Sequence, residues 1–125
     1  MPRQVRLDAS GTLHHVILRG IERGKIVAGA RDREAFVARL GTLAAATGTM
    51  VDAWALLPSH AHLLLRSGPA GLPQFMRRLL TGYAQGYNRR HRRAGHLFQN
   101  RYTSIVCEAD AYFQELTRYI HLNPP

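Results

Sequence analysis

The sequence predicts an α+β domain, an antiparallel sheet with helices on one face, extended by a further helix at the C-terminus. Two observations predict it. Short apolar runs alternate with longer stretches in which apolar residues recur at helical spacing, and the two kinds come in the order β-α-β-β-α-β. The two middle runs are separated only by Pro58-Ser59, which makes them neighbours in an antiparallel hairpin.

Leu13 to Leu18 opens the series as a strand, followed by a loop from Gly20 to Gly29. Asp32 is placed to cap the first helix, whose Phe36, Val37, Leu40, Leu43 and Ala44 repeat at helical spacing until Gly48 ends it. Met50 to Leu57 and His60 to Arg66 form the hairpin, and Gly68-Pro69-Ala70-Gly71 turns the chain. Pro73 suits the first turn of a second helix, with Leu72, Phe75, Met76, Leu79, Leu80, Tyr83 and Tyr87 as its apolar stripe. Gly82 and Gly86 share one face of that helix, where another backbone or a DNA strand is expected to come close. After a basic loop, a fourth strand around Tyr102 to Val106 precedes a last helix, from about Asp110 until Pro124 stops it. This order is the split β-α-β, ferredoxin-like arrangement. With no repeat or linker, residues 1–125 read as a single domain.

Charge narrows the partner. The chain carries 17 Lys+Arg against 8 Asp+Glu, a net charge of +9, and nearly all the cations are arginine. No carboxylate lies between Asp52 and Glu108, a stretch that holds Arg66, Arg77, Arg78, Arg89, Arg90, Arg92, Arg93 and Arg101. A block of one sign predicts a strong local potential, and the planar guanidinium matches phosphate oxygens in two-pronged fashion. Nucleic acid is the expected partner. No apolar run approaches the roughly 20 residues of a membrane span, no secretory signal opens the chain, and the lone Cys107 excludes an internal disulfide. A cytoplasmic protein with no membrane partner is expected.

Two histidines bear chemistry. Alternation along a strand puts His60, His62 and Leu64 on one face and Ala61, Leu63 and Leu65 on the other. Two imidazoles side by side are costly to bury unpaired, and they form a ready pair of metal ligands. His-x-His is a short pattern, and a hydrogen-bonded histidine pair satisfies it equally. In the last helix Tyr119 and Asn123 lie four apart on one face, continued by Tyr112 and Leu116. Taken alone, Tyr119 reads as a core aromatic and Asn123 as a residue at the helix end. A zinc hydrolase would need a third firm ligand and a carboxylate base, which the stretch around the histidines does not offer.

Several separated blocks carry a resemblance. Leu57-Pro58-Ser59-His60-Ala61-His62-Leu63-Leu64-Leu65 resembles the HUH motif of transposases that use one tyrosine. Leu13-His14-His15-Val16-Ile17-Leu18-Arg19-Gly20, Gly95 to Ser104 and Arg118 to Pro124 resemble the REP-associated tyrosine transposases of that group. The resemblance covers nearly the whole chain, in the family's order and spacing. It implies His60 and His62 as metal ligands, Tyr119 as the nucleophile and Asn123 as a polar residue completing the metal shell. It also implies a divalent metal, Mg²⁺ or Mn²⁺, a 5′-phosphotyrosine intermediate, and a substrate of single-stranded or hairpin DNA. Ala61 stands where a bulky apolar residue is usual and Ser59 where asparagine is common. Members usually continue past the Asn-Pro motif, so a shortened copy is one expectation, and relatives occur as monomers and as homodimers.

DNA contacts are expected from Arg77, Arg78, Arg89, Arg90, Arg92, Arg93 and Arg101, with Tyr87 and Phe98 as stacking platforms. Tyr83 reads as core, and His14, His15, His91, His96 and His121 as structural, with His91 and His96 near the DNA path. The alternative is a catalytically inactive, domesticated nucleic-acid-binding module.

Overall fold

The computed structural model describes residues 10–99 and 102–107. Four strands form one sheet: β1 (Leu13–Arg19), β2 (Met50–Leu56), β3 (His60–Arg66) and β4 (Thr103–Cys107). Their order is β2-β3-β1-β4, with every neighbouring pair antiparallel. Two helices, α1 (Ala30–Thr47) and α2 (Leu72–His91), link β1 to β2 and β3 to β4. This is the α+β, split β-α-β arrangement expected. The helix expected after Asp110 lies outside the described residues, as do Arg101, Tyr119 and Asn123.

Helix and sheet meet through alternation. Val16 and Leu18 of β1 and Ala61, Leu63 and Leu65 of β3 face the helices and are all at most 1% exposed. Phe36, Leu40 and Leu43 of α1 and Leu72, Phe75, Met76, Leu79, Tyr83 and Tyr87 of α2 close over them as one core. Each fully buried Leu or Phe contributes about 1.5–3 kcal/mol. Because the period is two, a slip of one residue in β3 would send this whole set to the other face. The hairpin fixes the register: the Leu57 N–H donates to the His60 carbonyl at 2.9 Å, leaving Pro58-Ser59 as the turn.

The first helix begins earlier than its sequence suggests. Gly29 is its N-cap and Asp32 lies inside the first turn, where its carboxylate accepts from the Ala28 N–H at 2.9 Å. Asp32 reaches back to the backbone, as the acid of a capping box does, rather than capping forward. Gly48 ends α1 at φ 73, the left-handed conformation expected there. Helix α2 runs further than expected. Asn88, Arg89, Arg90 and His91 form its last turns rather than a loop, and Arg92 closes it at φ 51. Cations at a helix C-terminus are favoured by the peptide dipoles, and buried Asp32 draws in two of these side chains. The close approach expected at Gly82 is made by Arg39 of α1. Its guanidinium occupies the space a Cβ would fill, and Nη2 donates to the Arg78 carbonyl at 3.4 Å.

Candidate active site on the histidine face of the sheet

The second face of the sheet carries the histidines. Register pairs Arg19 with His60, Ile17 with His62 and His15 with Leu64, and directly opposed residues share a face. His15, Ile17 and Arg19 therefore stand beside His60 and His62. Among the described residues, no helix packs on this face.

His62 is 7% exposed and His15 is 5% exposed. Their rings stack at a centroid distance of 5.3 Å, and His15 Nε2 lies 3.1 Å from His62 Nδ1. His60 is half-buried and meets His62 edge to face at 5.2 Å. Burial first, then the neighbouring His15, His60 and Arg19, lowers the His62 pKa to about 4. Burial alone pushes the His15 pKa down. At neutral pH His62 is thus an uncharged imidazole carrying one lone pair, the form that ligates a metal.

The pair opens onto a cavity of about 610 Å³, lined with His60 and His62 by Arg19, Gly20, Glu22, Arg23, Ser59 and Gln99. Its floor is a tight turn, Ile21–Arg23, held by three backbone bonds. The Gly20 N–H donates to the Ser59 carbonyl, the Ile21 N–H to Leu97, and the Gln99 N–H to Arg19, each at 2.9 Å. Glu22 and Arg23 adopt φ 53 and φ 62 although neither is glycine, which costs of order 1–3 kcal/mol each. A Cβ on Gly20 would collide with the Gly24 carbonyl oxygen, so the turn closes only over glycine.

The pair fits a divalent cation in part. It supplies two imidazoles on one face, and among the described residues no group of three or more His, Cys, Asp or Glu is placed to hold a metal ion.

The arginines divide. Arg77, Arg78, Arg89 and Arg92 are exposed on α2 and its cap. Arg90 Nε instead pairs with Asp32 Oδ1 at 2.7 Å and its guanidinium lies over the Tyr83 ring, 5.7 Å from the centroid. His91 Nε2 meets Asp32 Oδ2 at 2.8 Å. Burial pushes the Asp32 carboxyl up, but the Ala28 N–H, Arg90 and His91 outweigh it, so its pKa lies below the usual value. Arg93 is bound to Asn88 Oδ1 at 2.7 Å and to the His96 carbonyl at 2.9 Å. Tyr87 and Phe98, expected as stacking platforms, are 6% and 9% exposed and belong to the core cluster. Their rings pack beside Tyr83, whose hydroxyl donates to the Ile26 carbonyl. Tyr87 and Phe98 are thus part of the core, Arg90 is held by Asp32, and Arg93 is bonded within its own surface turn.

Sequence reasoning missed the other cavity residues. His15 reads as structural and Arg19, Glu22, Arg23 and Gln99 as ordinary loop or strand residues until β1 is paired with β3. Alternation along β1 puts His15 and Arg19 on one face, a signal that went unused. The partner strand could not be read from it.

A four-stranded antiparallel sheet with helices on one face and a histidine pair on the other defines the chain as a split β-α-β domain of the α+β class. The family described as "Transposase IS200 like" matches residues 9–123, and the chain belongs to this family. Two solved structures share the fold. One is a REP-associated tyrosine transposase bound to a REP hairpin, with TM-score 0.77 and 13% identity, covering 94% of this chain and 68% of that one. The other is described as a transposase from Deinococcus radiodurans R1, with TM-score 0.63 and 18% identity, covering 90% of each chain. No curated protein matches this chain.

Proposed function

We propose that this transposase-family chain is a metal-dependent endonuclease and strand transferase for single-stranded DNA, acting at hairpin-flanked sites through Tyr119. The observation that carries the reading is the His60–His62 pair, with His62 held uncharged, opening onto a cavity lined by Arg19 and Arg23. Family membership and the hairpin bound by the related structure support it.

His60 and His62 would hold Mg²⁺ or Mn²⁺, with Asn123 as the amide oxygen that the pair lacks. When bound, the metal neutralises charge on a non-bridging oxygen of the scissile phosphate and orients phosphorus for in-line attack. Were His62 to present Nε2, its Nδ1 would carry the proton and donate to His15 Nε2, 3.1 Å away. Tyr119 Oη bonds to phosphorus as the P–O3′ bond breaks, leaving a 5′-phosphotyrosine and a free 3′-hydroxyl. Tyrosine ordinarily titrates near ~10, so the phenol loses its proton to water as the bond forms. A second 3′-hydroxyl reverses the step, and because the phosphodiester is conserved, joining needs no nucleotide triphosphate.

Incubation with labelled single-stranded oligonucleotides and Mn²⁺ tests this. Cleavage should occur with metal and stop in excess chelator. Cleavage unaffected by chelator would remove the metal from the account. Binding without cleavage under all conditions would favour an inactive nucleic-acid-binding module.

A further inference from the structure

The exposed arginines of α2 sit on the helix layer, whereas the histidine pair opens on the other face of the sheet. The cations that line the cavity itself are Arg19 and Arg23, and Glu22 is its carboxylate. All three side chains are exposed, and none makes a hydrogen bond or ion pair with the described residues. Their backbone is nevertheless held in place. The turn that presents them is pinned at Gly20, Ile21 and Gln99, and two of its residues occupy the left-handed region. Strain of this kind persists only where surrounding structure enforces it, and it concentrates at ligand clamps. The cavity, about 610 Å³, lies within the roughly 300–1,000 Å³ typical of small-ligand sites.

We propose that the Arg19–Arg23 turn is a nucleotide clasp for the residue flanking the scissile bond, in which Arg19 and Arg23 take phosphate oxygens and Glu22 selects guanine. The proposal rests on reading the histidine cavity as the cleavage site. Guanidinium groups match phosphate in two-pronged fashion. An ionised carboxylate only accepts hydrogen bonds. Guanine alone among the bases presents two adjacent N–H donors on its pairing edge, from N1 and the 2-amino group, and in a single strand that edge is accessible. Thymine presents carbonyls on either side of one donor and is disfavoured.

The test reads binding separately from cleavage. Wild-type protein in chelator is mixed with a pool of short single-stranded oligonucleotides of random sequence, and the retained pool is sequenced. Guanine should be enriched at one position by about tenfold, the scale of one good two-pronged base contact. Glu22→Gln should abolish that enrichment with affinity kept. Arg19→Ala and Arg23→Ala should each flatten the log–log salt dependence by about 0.7, one phosphate on a single strand. Enrichment of guanine by the wild type, lost in Glu22→Gln, in protein that never cleaves would uphold the clasp and reject only the chemistry. Identical pools from wild type and Glu22→Gln, enrichment of another base, or unchanged salt slopes in both arginine variants would overturn it.

Discussion

His62 is neutral at pH 7 because burial and three cationic or titratable neighbours disfavour its charged form. An unfolded imidazole protonates near the ordinary 6.5, whereas the folded one waits until about 4. Between those values the unfolded chain binds a proton that the folded chain refuses, so stability should fall as pH drops from 6.5 towards 4. Urea unfolding at pH 7 and pH 5 checks this, and His62→Gln should flatten the difference. An unchanged pH dependence in that variant would place the burden on other groups, with His15 next because its pKa is lowered too. The 3.1 Å contact between the rings has its own consequence. His15→Leu should weaken Mn²⁺ binding about tenfold, the low end for losing a hydrogen bond behind a metal-ligating histidine, while the fold survives. Calorimetric titration reads this without any activity. The face shared by His60 and His62 was legible from alternation along one strand. The third imidazole was not, because it comes from another strand and only pairing brings it there.

At the scale of elements, the C-terminus of α2 and the N-terminus of α1 are joined through Asp32. Its carboxylate accepts from Ala28, Arg90 and His91, and its side chain is only 3% exposed. Asp32→Ala strands Arg90 beside the Tyr83 ring and removes the backbone partner, so it should cost about 3 kcal/mol, read from denaturant midpoints. A loss under roughly 1 kcal/mol would show the cluster to behave as an exposed ion pair. The same geometry separates arginines that the sequence treated alike. Arg89 and Arg92 are exposed, so replacing both with alanine should flatten the salt dependence of DNA binding by about 1.4, two phosphates on a single strand. Arg90→Ala should act on stability instead, leaving that slope nearly unchanged. Helix α2 was legible from its apolar stripe. Its last turns were not, because a run of basic residues reads as a loop until the buried aspartate that holds it is known. Burial of Tyr87 and Phe98 was not legible either: spacing beside arginines allows a base platform or core packing, and the structure packs both rings around Tyr83.

For the whole molecule, one sheet does two jobs. The face built from Val16, Leu18, Ala61, Leu63 and Leu65 holds the helices. The other presents His15, His60, His62 and Arg19. The order of elements was legible because hairpin and helices follow from short-range signals, and the resulting fold agrees with related structures at 13% and 18% identity. The central claim is that this scaffold serves a covalent strand transfer by Tyr119. It is tested most directly by mass spectrometry of the protein after incubation with a single-stranded substrate and Mn²⁺. The account predicts one peptide, containing Tyr119, that carries the 5′-phosphate and downstream nucleotides, and its complete loss in Tyr119→Phe with DNA affinity preserved. An adduct on another residue, Tyr112 first, or an undiminished adduct in Tyr119→Phe would contradict it.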